Sequence, residues 1–329
     1  VTEDEAMGRA LALAASVRTT TAPNPWVGAV VLPGGFEGAT HPPGGPHAEV
    51  VALAAAGEAA RGATLVCTLE PCAHHGRTPP CVDAILAAGV ARVVVAIEDP
   101  DERVRGRGIA ALRAAGVDVE VGLRSGEVRA QLAPYLKHRA IGRPWVVLKL
   151  AATLDGRTAA PDGSSRWITG EAARTDAHRL RAESGAVLVG AGTIRADDPE
   201  LSVRHVPPGR QPLRIVLGSV PPGARAHPAM ELGGDPGDVL DTLGRWGVLQ
   251  VLVEGGATVA GAFHRAGLVD RYVFYLAPAL LGGDDGRPVL AGPGAPTIAD
   301  AWRGRIADVR RLGDDLRIDL VPSSPCSPG

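Results

Sequence analysis

The chain has 329 residues, about twice the size of a typical domain, so two folded units are expected. Its 45% hydrophobic and 21% charged residues exclude a disordered or fibrous polymer, and a net charge of −2 lacks the basic excess of a nucleic-acid binder. No apolar run reaches the roughly 18 residues of a membrane span, and the acidic start Val1-Thr2-Glu3-Asp4-Glu5 lacks a secretory-signal pattern, so a cytoplasmic protein is expected.

Apolar residues at helical spacing predict a helix over 3–18, ended by a polar turn at 19–25. Residues 26–32 read as a buried strand, followed by a Gly/Pro-rich loop to Pro46. Helix is then expected over 48–60, 82–88 and 108–115, and strand over 64–68, 92–97 and 117–122. That alternation predicts a sheet covered by helices. Gly142-Arg143-Pro144 stops a helix before a strand at 145–150, which places a domain boundary there. The expected domains are 1–143 and 144–322, with 323–329 as a disordered Pro/Ser-rich tail in which Cys326 has no role. The second domain repeats the alternation, with strands at 186–189, 213–217, 248–253, 272–276 and 316–320 and helices at 171–183, 239–244 and 258–266.

Four cysteines are too few for a disulfide scaffold in a chain of this length. Cys72 and Cys81 sit in a run rich in His and Pro, Glu70-Pro71-Cys72-Ala73-His74-His75-Gly76-Arg77-Thr78-Pro79-Pro80-Cys81, downstream of His47-Ala48-Glu49. An H-x-E followed by P-C-x-x-C is the pattern of a zinc-dependent nucleobase deaminase, and this run matches it apart from the spacing of the two cysteines. His47, Cys72 and Cys81 would give Zn²⁺ one imidazole and two thiolates and leave a fourth position for water. Glu49 is then placed to take a proton from that water and pass it to a departing amine. Cys72 is expected to open a helix after Pro71, whose dipole favours a thiolate. The alternative is a closed structural zinc site, with His74 or His75 as fourth ligand; the eight-residue gap between the cysteines departs from the two-residue pattern. Cys67, in a strand, reads as a small core residue. In the second domain, Val251 to Thr258 is an apolar strand entering a helix through Glu254-Gly255-Gly256, which suits either a phosphate site or a plain turn.

These motifs, with Pro23-Asn24-Pro25, closely resemble the bifunctional deaminase/reductase family of riboflavin biosynthesis. The resemblance extends through Lys149-Leu150-Ala151-Ala152-Thr153-Leu154-Asp155-Gly156-Arg157, Ser165-Arg166-Trp167-Ile168-Thr169 and Ala196-Asp197-Asp198-Pro199. It implies a cytidine-deaminase-like three-layer α/β/α domain followed by a dihydrofolate-reductase-like α/β domain. The implied reactions are deamination of 2,5-diamino-6-ribosylamino-4(3H)-pyrimidinone 5′-phosphate, then NADPH-dependent reduction of its ribosyl group to ribityl. Carried over by position, Asn24, Ser165, Arg181, Leu201, Arg204 and Glu254 fall on substrate contacts. Ala151, Trp167, Thr193, Asp197, Ser219 and the turn Gly256, Ala257, Thr258, Val259, Ala260, Gly261 and Ala262 fall on NADP contacts. Lys149 would act catalytically at the sugar, and residues 74–80 would touch the ring or phosphate. Asp101 stands where the family usually has Asn, Gly218-Ser219 replaces Asp-Ser, and the stretch 222–238 is short, which raises the loss of a strand–helix unit. The family also implies a homo-oligomer, a dimer or tetramer, acting on a small molecule. A nucleic-acid-editing deaminase is the rival reading, and it requires a basic, aromatic-lined face where this chain has 3% aromatic residues.

Overall fold

The computed structural model describes residues 1–207 and 209–323; of the expected tail, all but Ser323 lies outside the described residues, Cys326 included. The chain divides into two compact units, Val1–Ala140 and Ile141–Gly329, and each has its own sheet.

In the first unit, helix α1 (Glu3–Val17) opens with a capping box: Thr2 Oγ1 accepts the Glu5 N–H, and the Glu5 carboxylate accepts the Thr2 N–H. Strands β1 (Gly28–Leu32) and β2 (Phe36–Ala39) form a hairpin, and helix α2 (Ala48–Ala56) continues into a 3₁₀ turn at Gly57–Ala60. Then come β3 (Thr64–Leu69), α3 (Cys81–Ala87), β4 (Arg92–Ile97), α4 (Arg107–Ala114), β5 (Asp118–Val121) and α5 (Ser125–Ile141). The sheet order is β2-β1-β3-β4-β5, with β1 antiparallel to both neighbours and β3, β4 and β5 parallel.

Two glycines show why this unit has three layers. A Cβ on Gly28 would lie 2.0 Å from the Ala10 carbonyl oxygen of α1, and one on Gly38 would lie 2.1 Å from the Ala48 carbonyl oxygen of α2. Gly38 stands opposite Ala29, so the two share a face, and Gly28 faces the other way. Helices α1 and α2 therefore cover opposite faces, each drawn close at a residue without a side chain.

The second unit contains β6 (Trp145–Thr153), β7 (Arg157–Ala159), α6 (Glu171–Ala182), β8 (Ala186–Gly190), α7 (Ala191–Asp197), β9 (Leu213–Leu217) and β10 (Met230–Leu232). It continues with α8 (Pro236–Arg245), β11 (Gln250–Val253), α9 (Ala257–Arg265), β12 (Arg271–Ala277), β13 (Arg287–Pro288), β14 (Gly304–Leu312) and β15 (Asp315–Pro322). The main sheet runs β10-β9-β8-β11-β6-β12-β15-β14; its first six strands are parallel, and β15 and β14 are antiparallel. Val146 and Leu148 pack on one face with Leu240, Leu243 and Phe263, whereas Val147 packs on the other with Leu180, Val187 and Tyr275. Burial on both faces is why these strands read as unbroken apolar runs.

The two α/β units match the expected fold class. Three local expectations change. The loop expected to run to Pro46 contains β2, whose Phe36-Glu37-Gly38-Ala39 is only partly buried. No helix begins at Cys72: residues 71–80 are irregular, and the helix starts at Cys81, directly after Pro79-Pro80. Proline suits a helix entrance because the missing N–H is not needed there. In the second unit, β7, α7, β10, β13 and β14 join the expected elements.

The glycine contacts predict a stability contrast. Gly28→Ala should cost about 1–3 kcal/mol, because α1 must move off the sheet. Gly126→Ala, where an added Cβ meets nothing within 4 Å, should be neutral or slightly stabilising. Urea unfolding of both variants checks the difference, and equal midpoints would contradict the layer argument.

Candidate functional site

Three elements bring one donor cluster together in the first unit. His47 is the N-cap of α2, Cys72 follows the end of β3, and Cys81 is the first residue of α3. His47 Nδ1 lies 3.3 Å from Cys81 Sγ and 3.6 Å from Cys72 Sγ, and the two sulfurs are 3.5 Å apart. A tetrahedral zinc with ordinary bond lengths requires edges of about 3.6 Å for N···S and about 3.8 Å for S···S. The donor set therefore fits zinc in chemistry and in spacing. The cluster contains these three residues and neither His74 nor His75, which favours the open site over the closed one. The Cys72 thiol is held well below its ordinary pKa, first by hydrogen bonding with Cys81 and then by His47 and the Cys81 backbone N–H.

Glu49, the second residue of α2, is buried at 4% exposure. Burial pushes its carboxyl up, and His47 pulls it the other way. A cavity of about 410 Å³ opens on the cluster and is lined by Asn24, Glu49, His47, Cys72, His74 and Arg77 among others. That volume falls in the range of small-molecule sites. Asn24 thus joins the zinc residues at one cavity. Cys67 is fully buried in β3, with Sγ 3.8 Å from the Val94 carbonyl oxygen. Glu70, to which the sequence reading assigns no role, anchors the wall. Its buried carboxylate accepts the backbone N–H groups of Asp99, Gly106, Gly108 and Ile109 at 2.9–3.3 Å. Nothing in the sequence pattern announces this contact, because the four donors lie 29 to 39 residues away.

In the second unit, the chain leaves parallel strands at the edge where α/β folds bind ligands. Thr193 follows β8, Ser219 follows β9, and Glu254 with Gly256 follows β11. The Thr193 hydroxyl accepts the Gly256 N–H at 3.2 Å, which joins two expected cofactor residues. Gly256 is the N-cap of α9, so no side chain caps the first-turn N–H groups of Ala257, Thr258 and Val259. Further along α9, a Cβ on Gly261 would lie 2.1 Å from the Ala291 carbonyl oxygen; Ala260 is buried and Ala262 half-buried. This helix entrance fits a cofactor that carries phosphates. Trp167 is 71% exposed with the Arg174 guanidinium 4.7 Å from its ring centre, and Asp197 lies beside Arg166. Ser165 shares their segment, and Ala151 lies on β6.

Arg181 grips Glu254 through two hydrogen bonds, 2.6 and 2.7 Å, and also donates to the Ser202 carbonyl oxygen. Their side chains are only 13% and 9% exposed. Burial alone would raise the Glu254 carboxyl, but Arg181, followed by Lys149, overrides it and brings the pKa to about 2. Lys149 lies on β6, its amine 5.9 Å from the Tyr275 ring centre; burial lowers its pKa against the pull of Glu254. Leu201 is buried, and Arg204 is exposed and paired with Glu200 at 2.5 Å. The Arg204 N–H donates to His178 Nδ1, and burial with neighbouring cations lowers that imidazole to about 4.

Comparison with known proteins agrees with both halves. The model of the RibD C-terminal domain matches residues 144–318, and that of the cytidine and deoxycytidylate deaminase zinc-binding region matches residues 1–97. The riboflavin biosynthesis protein RibD of Mycobacterium tuberculosis is 46% identical, with 97% of each chain covered. Among solved structures, Acinetobacter baumannii RibD superposes with a TM-score of 0.92 at 39% identity, covering 98% of this chain and 99% of its own. A Thermotoga maritima protein described as a diaminohydroxyphosphoribosylaminopyrimidine deaminase/5-amino-6-(5-phosphoribosylamino)uracil reductase gives 0.86 at 32% identity, covering 97% and 98%.

Two measurements test the geometry. Elemental analysis of purified protein should find one zinc per chain, lost in Cys72→Ala or Cys81→Ala; metal retained by both variants would exclude this donor set. The Arg181–Glu254 pair should give an acid-sensitive stability term. Because the folded carboxyl titrates below its unfolded value, the term is fully present above about pH 5 and fades as pH falls toward 2. The stability gap between the native protein and Glu254→Gln, followed by unfolding from pH 7 to pH 2, should narrow on that descent.

Proposed function

This chain belongs to the RibD family and is a bifunctional enzyme of riboflavin biosynthesis with a zinc-dependent deaminase and an NADPH-dependent reductase; we propose that the activities divide at residues 143/144, each on the site described above. The single observation that carries the deaminase assignment is the convergence of His47, Cys72 and Cys81 beside the buried Glu49 in one cavity.

The first reaction replaces the 2-amino group of the diaminopyrimidine by oxygen: water adds at the ring carbon and ammonia departs. Zinc, when bound, would be held by His47, Cys72 and Cys81 and would supply Lewis acidity of the kind that lowers the pKa of water toward neutrality. Glu49 is the base that takes a proton from the attacking water and returns it to the departing amine. Its burial supports the role, because loss of hydration raises the proton affinity of the carboxylate and makes it a better base. Asn24 orients the ring through its amide.

The second reaction adds two electrons and two protons to the ribosyl group. Ala151, Trp167, Thr193, Asp197, Ser219 and the Gly256–Ala262 turn would hold NADPH, which would supply the hydride. Lys149 supplies a proton to the opening sugar, and its lowered pKa supports this. Ser165, Leu201, Arg204, Arg181 and Glu254 hold the substrate. Arg204 is the principal phosphate grip; three of the five N–H donors of Arg181 already serve Glu254 and Ser202.

We further propose that the chain acts in the cytoplasm on a small molecule rather than nucleic acid, as a homo-oligomer. Among the described residues no helix is long and apolar enough to cross a membrane. Strand β14 is the open edge of its sheet and exposes Ile306 and Val309, an arrangement that suits pairing with a second copy.

Mass spectrometry tests the assignment. Incubation with the diaminopyrimidine phosphate should add about 1 Da, and NADPH should add about 2 Da more. Glu49→Gln should retain zinc and lose deamination by about 100-fold or more; deamination at the native rate in that variant would exclude Glu49 as the base.

A further inference from the structure

The deaminase cavity holds a second cluster that the reaction at zinc does not use. Asp101, 9% exposed, follows β4 and lines the same cavity as His47, Cys72 and Glu49. Its carboxylate receives a two-pronged grip from Arg103: Nε donates to Oδ1 at 3.0 Å and Nη2 to Oδ2 at 2.7 Å, with the Arg103 backbone N–H on Oδ1 at 3.0 Å. Arg139, reaching in from α5, brings Nε to 3.6 Å from Oδ2, beyond hydrogen-bond length. Its guanidinium stacks 5.1 Å from the Tyr135 ring centre, and its buried Nε has no hydrogen-bond partner. Arg103 and Arg139 both line the cavity.

Two guanidiniums on one carboxylate leave one positive charge in excess. The other acids of this wall are engaged elsewhere and do not pair with either guanidinium: the Glu70 carboxylate accepts four backbone N–H groups, and Asp99 accepts the Tyr135 hydroxyl at 3.0 Å. The hydrogen bonds counted on Arg103 occupy two of its five side-chain N–H donors. A forked cation with free donors, fixed by a buried acid, is suited to the oxygens of a phosphate monoester.

On the deaminase reading above, we propose that Arg103 and Arg139, held in place by Asp101, form the grip for the 5′-phosphate of the deaminase substrate. The acid at 101 is a positioning residue. It does not repel the phosphate, because it reaches the cavity with two cations attached. The cavity then reads both ends of its ligand, the ring at the zinc cluster and the phosphate at the arginine pair.

The test is the deaminase preference for the phosphorylated pyrimidine riboside over the same riboside without phosphate, measured as the ratio of their kcat/KM values. Arg103→Ala and Arg139→Ala should each lower that ratio roughly tenfold or more, in keeping with loss of a charge-assisted contact. Inorganic phosphate should compete with the phosphorylated substrate in the native enzyme and lose potency in both variants. Asp101→Ala should lower the ratio with both arginines present, and Asp101→Glu should restore part of it, which a purely structural role would not produce. Arg103, 66% exposed in its side chain, can be removed with little risk to folding, and zinc content checks each variant. A ratio unchanged in both arginine variants, or one abolished only by Arg77→Ala on the neighbouring 71–80 segment, overturns the proposal while leaving the deaminase assignment intact. A native enzyme that deaminates neither compound overturns the assignment and the grip together.

Discussion

A single buried carboxylate holds the first site in shape. Glu70 lies at the end of β3, two residues before Cys72, and its oxygens accept four backbone N–H groups, two from the segment between β4 and α4 and two from the first turn of α4. A buried carboxylate is costly unless hydrogen-bonded, and donors left unmet here would be costly too. Each side therefore fixes the other. The consequence is positional: the segment carrying Asp99, Asp101 and Arg103 is tied to the strand end that presents Cys72. Gly108 completes the arrangement, since a Cβ there would lie 1.9 Å from the Pro71 carbonyl oxygen. Metal ligand and cavity wall are thus coupled through one side chain that performs no chemistry.

The second unit solves the same problem with a cation. Glu254 leaves β11 toward the interior, where burial opposes its charge, and Arg181 on α6 compensates with a fork of two hydrogen bonds. Removal of one partner leaves a buried charge uncompensated, the situation in which an ion pair matters most. A second buried set lies nearby: Arg317 binds Asp176 at 2.6 Å and Asp319 at 2.9 Å, and Tyr275 donates to Asp176 at 2.8 Å. Lys149 stands over the Tyr275 ring, so the network beneath it keeps that tyrosine in place. Both units therefore contain buried polar residues that are fixed by one another.

Much of this was legible in the sequence, and the reasons for the rest are physical. Strands β3, β4 and β8 announce themselves because burial on both faces gives short, largely apolar runs. Strand β14 does not, because nearly every residue in it is exposed and it pairs only at one edge. Strand β2 has a half-exposed composition that reads as a loop. The donor cluster was readable because its chemistry restricts it to His and Cys, whatever their separation. The grip of Glu70 and the cations around Asp101 were not, because their partners are backbone groups or arginines that could equally lie in solvent. The placement of Cys72 shows the limit of a local rule: a proline before a residue permits a helix without requiring one, and here the helix waits until Pro80.

The short stretch after β9 carries more structure than its composition suggests. Parallel neighbours need a connection of about a dozen residues or more, and residues 218–229 give the chain that length before it pairs again as β10. Asp235 then caps α8 by accepting the Asp238 N–H at 3.0 Å, with Pro236 as the first helical residue. The strand is only three residues long, yet it occupies the position that would otherwise leave β9 as the open edge. Its pairing also places Leu232 beside Leu217, just before the turn that carries Ser219. A strand–helix unit is therefore present here as β10 and α8, and it leaves β9 paired on both sides up to its carboxyl end.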